Sequence, residues 1–276
     1  MRKLIFITLV FCQLNAWANT PSNCFLKGQL SFGMVPIASS HLIDLWSSNI
    51  NRQIQKAACR KLSFTSSTDF KHYIQKAKSG KFDVLAAPAH IASYLISTAN
   101  FQPVAFLVWE SSYLYVVKNN SHISTIAHQD AQRFALPDAV SEASILARAE
   151  TQQVNAQVSP DYSHYQHYNQ IVKAVVNDQA DIGVVLLPFY KAYKKRTKMK
   201  VQAIHESPFP SHGMLIAAPH THKNDQVELF NALASLDPNT DLFWQSFKSI
   251  SPSQLETFHQ EQAPSVNTLK QLLQQD

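Results

Sequence analysis

Glycine is scarce in this chain. Its 276 residues include five, at positions 28, 33, 80, 183 and 213, and no spacing among them gives G-x-G-x-x-G, a P-loop or G-x-S-x-G. The loops that cradle nucleotide phosphates and the nucleophile elbow of hydrolases are excluded together. H-E-x-x-H is absent, and the three cysteines form no C-x-x-C, which removes zincin chemistry and a thioredoxin-like redox centre. Charge is sparse as well. Charged residues make up 16% of the chain, and the formal net charge of +5 is too mild to imply a nucleic-acid partner. Beyond residue 18, no apolar run approaches the length of a membrane-spanning helix.

What is present begins with "MRKLIFITLVFCQLNAWANT". Arg2 and Lys3 precede an apolar run from Leu4 to Leu14 and then Ala16-Trp17-Ala18. That is the anatomy of a secretory signal, residues 1–18, with cleavage expected after Ala18. Phe11 stands before Cys12 where a lipoprotein signal needs a small residue. Without Arg2 and Lys3 the 24 basic residues become 22 against 19 acidic, a net of +3. The mature chain keeps Cys24 and Cys59, an even pair that in an exported protein reads as one disulfide. With 45% hydrophobic residues, the chain can fill one large core or two smaller ones.

Strands and helices alternate, the pattern of an α/β protein. "LSFGMVP", "KLSFTSS" and "FDVLAAP" read as strands, separated by a long helix ending near Cys59 and by "TDFKHYIQKAKSG", which Ser67 or Thr68 would cap. "AHIASYLI" is the next helix, and "QPVAFLVW" and "SSYLYVVKN" are β-rich. A middle block repeats the scheme: "RFALPD" (strand), "SEASILARAETQQ" and "YNQIVKAVVNDQ" (helices), "ADIGVVLL" (strand). "PFYKAYKKRT" is helical and its basic face reads as solvated. "VQAIHES" and "HGMLIAAP" lead back out, and the tail reads as four helices: "NDQVELFNALASL", "DLFWQSF", "PSQLETFHQ" and "SVNTLKQLLQQ". The economical arrangement is two α/β lobes, 19–118 plus 212–276 and 119–211, joined by two crossing strands, with the final helices packed on the first lobe. Ligands of open α/β sheets bind beyond the carboxyl ends of strands. Pro36 to Ser40, Ala87 to His90 and Pro137 to Ser141 are such corners, short and weakly charged.

At those residues the chain resembles the periplasmic solute-binding proteins of ABC importers, in particular the phosphate/phosphite/phosphonate-binding (PhnD-type) family. The likeness is carried by "LSFGMVP", "KAKSGKFDVLAAPAHIASYL", "YNQIVKAVVNDQADIGVV" and "ESPFPSHGMLIA", in that order. It implies a two-lobed type II binding-protein fold, a periplasmic location, a small solute such as a phosphonate, a phosphate-like or another small anion in the interlobe cleft, closure by hinge bending and no chemistry. The implied partner is a membrane ABC permease, or alternatively a sensor-kinase ectodomain, with a monomeric chain and no cofactor. Where phosphonate binders carry a Ser-Thr-Ser-Gly-like run at a helix start, this chain has "DAVSEAS". Glu142 suits the helix dipole there and opposes a second anion.

The candidate ligand contacts are Ser39, Ser40, Pro88, His90, Ser141, Ser144, His167 and Tyr168. Each has a plainer reading: Ser39, Ser40 and Ser141 as helix caps, His90 as a cap on local backbone, and "HYQHYN" as a polar loop. No Asp, Glu or Cys completes a metal set around "HYQHYN", so no metal is expected. Asp83 and Asp181 stand at matching places before buried strands and read as bonded to backbone amides. A secreted hydrolase using His90 or His167 is the alternative to a binding protein.

Overall fold

Apolar runs of two periods alternate along the chain, and each becomes the element its period dictates. The first stretch forms β1 (Gln29–Gly33), β2 (Lys61–Thr65), α1 (Phe70–Lys78), β3 (Val84–Ala87), α2 (Ala89–Ala99) and β4 (Gln102–Val108). The second forms β5 (Ser112–Lys118), β6 (Arg133–Leu136), α3 (Glu142–Val154), β7 (Asp161–His164), α4 (Tyr168–Val176), β8 (Ile182–Leu186), α5 (Leu187–Arg196) and β9 (Val201–Pro208). The last returns as β10 (Gly213–Ala217), α6 (Lys223–Ala234), β11 (Ser246–Lys248) and α7 (Pro252–Leu273). The computed structural model describes residues 28–36, 44, 47, 48, 50–52, 54, 60–108, 112–128, 130–154, 160–196, 200–210, 213–235 and 246–275. The signal segment, Cys24, Cys59, Ser39 and Ser40 lie outside these described residues. The expected first long helix is described only at 44, 47, 48, 50–52 and 54, and every one of those positions is helical.

Helix α1 shows how sequence sets structure. Phe70, Tyr73, Ile74 and Ala77 recur at helical spacing and are all buried. The cap is Asp69, one residue beyond the expected Ser67 or Thr68, because its carboxylate accepts the His72 N–H at 2.8 Å. Gly80, at φ 71°, ends the turn that follows, in a left-handed geometry that costs glycine nothing.

The strands form two sheets, ordered β11-β4-β10-β3-β1-β2 and β7-β6-β8-β5-β9. They share one plan. In each, the first strand (β1 or β6) lies between the second and third and runs parallel to both. The strand arriving from the other unit (β10 or β5) inserts antiparallel beside the third. An aspartate locks each copy. The Asp83 carboxylate accepts from Ser31 N at 2.6 Å and Ser31 Oγ at 2.7 Å, binding the start of β3 to β1. The Asp181 carboxylate accepts from Arg133 N at 2.8 Å and the Arg133 guanidinium at 2.6 Å, binding β8 to β6.

Strand β5, expected within the 19–118 lobe, is a member of the second sheet, where it fills the slot between β8 and β9. Two expectations about the tail change. Within "DLFWQSF", residues 246 and 247 open the short strand β11, which pairs with the edge of β4. The last two expected helices are one, because Pro264 sits inside α7 at an exposed position where water can take the carbonyl its missing N–H leaves. Helix α7 packs on α2, and it also reaches α3 of the second unit.

Candidate functional site

The corners at the carboxyl ends of β1, β2 and β3 face those of β6 and β7. Pro36, Thr68, Asp69 and Phe70 from the first unit and Pro137, Asp138, Gln166 and Tyr168 from the second enclose a cavity of about 10 Å³, room for roughly one water. The cleft is shut. Val140 and Ile145 of the second unit pack with Val35, Phe70 and Ala89 of the first in one apolar cluster.

Polar groups cross this seam. His90 stands at the start of α2, just after the Pro88 N-cap, and is fully buried. Its Nε2 donates to the Val140 carbonyl at 2.9 Å, while Nδ1 lies 3.7 Å from Glu142 Oε2. The Phe70 N–H, at the open end of α1, donates to Asp138 Oδ2 at 3.4 Å. A carboxylate of the second unit therefore occupies a helix N-terminus of the first, where an anion is favoured by the dipole and by the unbonded amides.

Several buried polar atoms lack full bonding: among the described residues, His90 Nδ1, Glu142 Oε1 and both amide atoms of Gln262 have no hydrogen-bond partner. Glu142 keeps 6% of its surface exposed and Gln262 none. Unsatisfied buried groups of this kind cost stability and mark places built for something other than stability.

The second-unit corner is bonded to itself. Asp138 Oδ1 accepts from Val140 N at 2.8 Å, Ser144 Oγ donates to the Pro137 carbonyl at 2.8 Å, and Ser141 Oγ accepts from Ser144 N at 3.3 Å. His164, at the end of β7, donates from Nδ1 to the same Pro137 carbonyl at 2.8 Å. Partial burial pushes the Asp69 carboxyl up, but the His72 N–H, the Thr68 hydroxyl and the His72 ring outweigh it and hold it below its ordinary range. Among the described residues lining the cavity there are two carboxylates and no lysine or arginine.

Of the residues expected from sequence, His90, Ser141 and Ser144 meet at the seam with Pro88 beside them, and Tyr168 lines the cavity. His167 is exposed, and its backbone N–H donates to Gln170 Oε1 at 3.2 Å. Thr68 was expected only as a helix cap, and His164 and Gln166 only as part of "HYQHYN"; Asp69, Asp138 and Gln262 were not among the expected site residues. Asp138 carried a usable signal, an aspartate two residues ahead of the amide it caps; Gln262 carried none. A larger hollow of about 860 Å³ lies along β4, β11 and α7, walled by Phe106, Phe230, Phe247 and Phe258. Among the described residues no opposed strand ends meet there, and the seam remains the candidate.

Comparison with known proteins agrees with this geometry. Residues 32–256 match the family model for the ABC transporter phosphonate periplasmic substrate-binding protein. The fold is similar to PhnD1 of Prochlorococcus marinus, solved with methylphosphonate, at a TM-score of 0.72 and 13% identity over 87% of this chain and 98% of that one. It is similar to a binding-protein component of an ABC phosphonate transporter from Pseudomonas aeruginosa, at 0.69 and 16% over 89% and 95%. It is also similar to the aliphatic sulphonate binding protein SsuA of Escherichia coli, at 0.59 and 14% over 89% and 82%. No curated protein matches the chain in sequence. With its two sheets and the strand ends opposed across a cleft, the chain belongs to the phosphonate-binding family of periplasmic substrate-binding proteins, the solute-capturing components of ABC importers.

Proposed function

We propose that the protein takes up a small solute between the two strand-end faces, closes over it and releases it unaltered to a membrane permease. The observation that carries this is the shut seam. His90 and Phe70 of one unit reach Val140 and Asp138 of the other over a cavity with room for about one water. A solute must enter when these bonds are open, and it then shifts the balance toward closure by its own contacts with both halves. His90, Pro88, Ser141, Ser144 and Tyr168 are the proposed contacts, joined by Thr68 and Asp138, with Ser39, Ser40 and His167 as further candidates. The hinge lies where the chain passes from one sheet to the other, between β4 and β5 and between β9 and β10. The signal is removed after Ala18, Cys24 and Cys59 form one disulfide, and the working unit is a monomer.

A phosphonate is the first solute to test, because the family is named for it. The donors such an anion would find at the seam are hydroxyls and backbone amides, with Asp69, Asp138 and Glu142 nearby. The experiment is a thermal-shift series on the mature protein with methylphosphonate, phosphite, phosphate, small organic acids and amines. A solute at one hundred times its dissociation constant adds about 2.7 kcal/mol, a rise of roughly 5–10 °C for a chain of this size. His90→Ala should reduce that rise. Turnover of a bound solute, lost in His90→Ala, would replace the binding reading with an enzymatic one.

A further inference from the structure

Between β5 and β6 the chain makes an excursion that the solute-binding reading does not use. It folds through successive turns: Ser121 N–H donates to the Lys118 carbonyl at 3.0 Å, His128 N–H to that of Thr125 at 3.3 Å, and Ala131 N–H to that of His128 at 2.9 Å. Ile123, Ile126 and Ala131 are buried in the core beneath β5, β6 and β8, so the loop is anchored from below.

On its outer side the loop gathers His122, His128 and Asp130. His122 Nε2 lies 3.0 Å from Asp130 Oδ2, and His128 Nδ1 lies 3.9 Å from the same oxygen. The three ligand atoms all fall within 4.8 Å of one another. The two imidazoles meet edge to face at 5.3 Å. The Asp130 backbone N–H donates to His128 Nδ1 at 3.3 Å, a long bond that ligation of a metal by the same lone pair would replace. Two ring nitrogens and a carboxylate oxygen thus converge on one small volume.

A tetrahedral zinc ion bonded at ~2.0–2.1 Å sets its ligand atoms roughly 3.3 Å apart. The separations from Asp130 Oδ2, 3.0 and 3.9 Å, bracket that value, and all three ligand atoms lie within 4.8 Å of one another, so side-chain rotation on the exposed loop would draw them into the set. We propose that His122, His128 and Asp130 bind a divalent transition-metal ion of the Zn²⁺, Ni²⁺, Cu²⁺ class, with water in the remaining position. Two imidazole nitrogens out of three ligands select this class over Mg²⁺ and Ca²⁺, which take oxygen. The site is independent of the cleft, and its failure would leave the solute-binding reading standing.

The test uses the mature protein without a histidine tag, titrated with Zn²⁺ in a calorimeter and with Co²⁺ under visible absorption. The expected result is one high-affinity ion per chain, with a Co²⁺ absorption band that Zn²⁺ bleaches. His122→Ala and Asp130→Asn should each raise the dissociation constant by at least about tenfold, with far-UV circular dichroism unchanged, since both side chains are more than half exposed. His222→Ala, at an exposed histidine of another loop, should leave the titration as it was. Zn²⁺ binding that survives both substitutions, or no heat and no Co²⁺ band in the starting protein, overturns the proposal.

Discussion

Gln262 is fully buried on α7, and among the described residues neither atom of its amide has a hydrogen-bond partner, so its replacement by methionine is expected to raise stability. The two side chains are close in length and volume and nearly equal in helix propensity, which leaves the polar atoms as the main difference. A buried unsatisfied polar group costs about 1–3 kcal/mol. Counting the amide as one such group gives a gain in that range, or a melting temperature higher by roughly 2–12 °C at the 2–4 °C per kcal/mol typical of this chain length. Differential scanning calorimetry and urea unfolding would measure it, with an unchanged m-value showing that only stability has moved. Gln260→Met, two residues away and exposed, is the control and should stay within about 0.5 kcal/mol of the parent. A melting temperature that fails to rise, or that falls, would refute the reasoning and show that the amide is bonded in solution.

Asp83→Ala should cost about 2 kcal/mol at neutral pH, because it removes charge-assisted bonds from Ser31 N and Oγ at a side chain 26% exposed. Partial burial pushes the Asp83 carboxyl up, but the Ser31 groups and His220 outweigh it and hold it down. Its contribution is therefore present above the unfolded value of about 4 and is lost as pH falls through the lower folded value. Urea unfolding of both proteins at pH 7 and at pH 3 should show the gap narrowing, and a gap independent of pH would count against the clamp. Gly183→Ala should destabilise by about 1–2 kcal/mol, since a Cβ there would meet Ile171 Cγ2 at 2.8 Å and Val175 Cγ2 at 2.9 Å. A neutral melting curve for that variant would mean that α4 can withdraw from β8.

Much of the fold was legible because local period and burial agree. The runs Val84–Ala87 and Ile182–Leu186 are buried at every residue, and the i, i+3, i+4, i+7 spacing of α1 admits little else. β7 escaped notice because "DYSH" is short and polar, and it is a strand only by pairing with the edge of β6. β11 was misread because three residues carry too little pattern to outweigh the apolar sequence before them. The site was half legible. His90 and Ser141 stand at corners that the strand-to-helix rule picks out. Their partners are set by tertiary geometry, with His90 meeting a carbonyl fifty residues away and Ser93 meeting His259 across 166 positions. Nothing local in the sequence encodes such pairs. The His122, His128 and Asp130 group was missed for a different reason: its spacing fits no common ligand motif, and the turns of the loop bring it together.

The position of β10 between β3 and β4 bears on how the chain can be made. Those two strands leave the ribosome early and in sequence, yet they cannot join until residues 213–217 arrive to lie between them. By then the whole inserted unit has already been synthesised. The half containing the N-terminus must wait, unfinished and with its apolar faces uncovered, for a piece encoded more than a hundred codons later. A protein handed to an export machine as an extended thread gains from that delay, because its earliest segments have no complete sheet in which to become trapped before they cross the membrane.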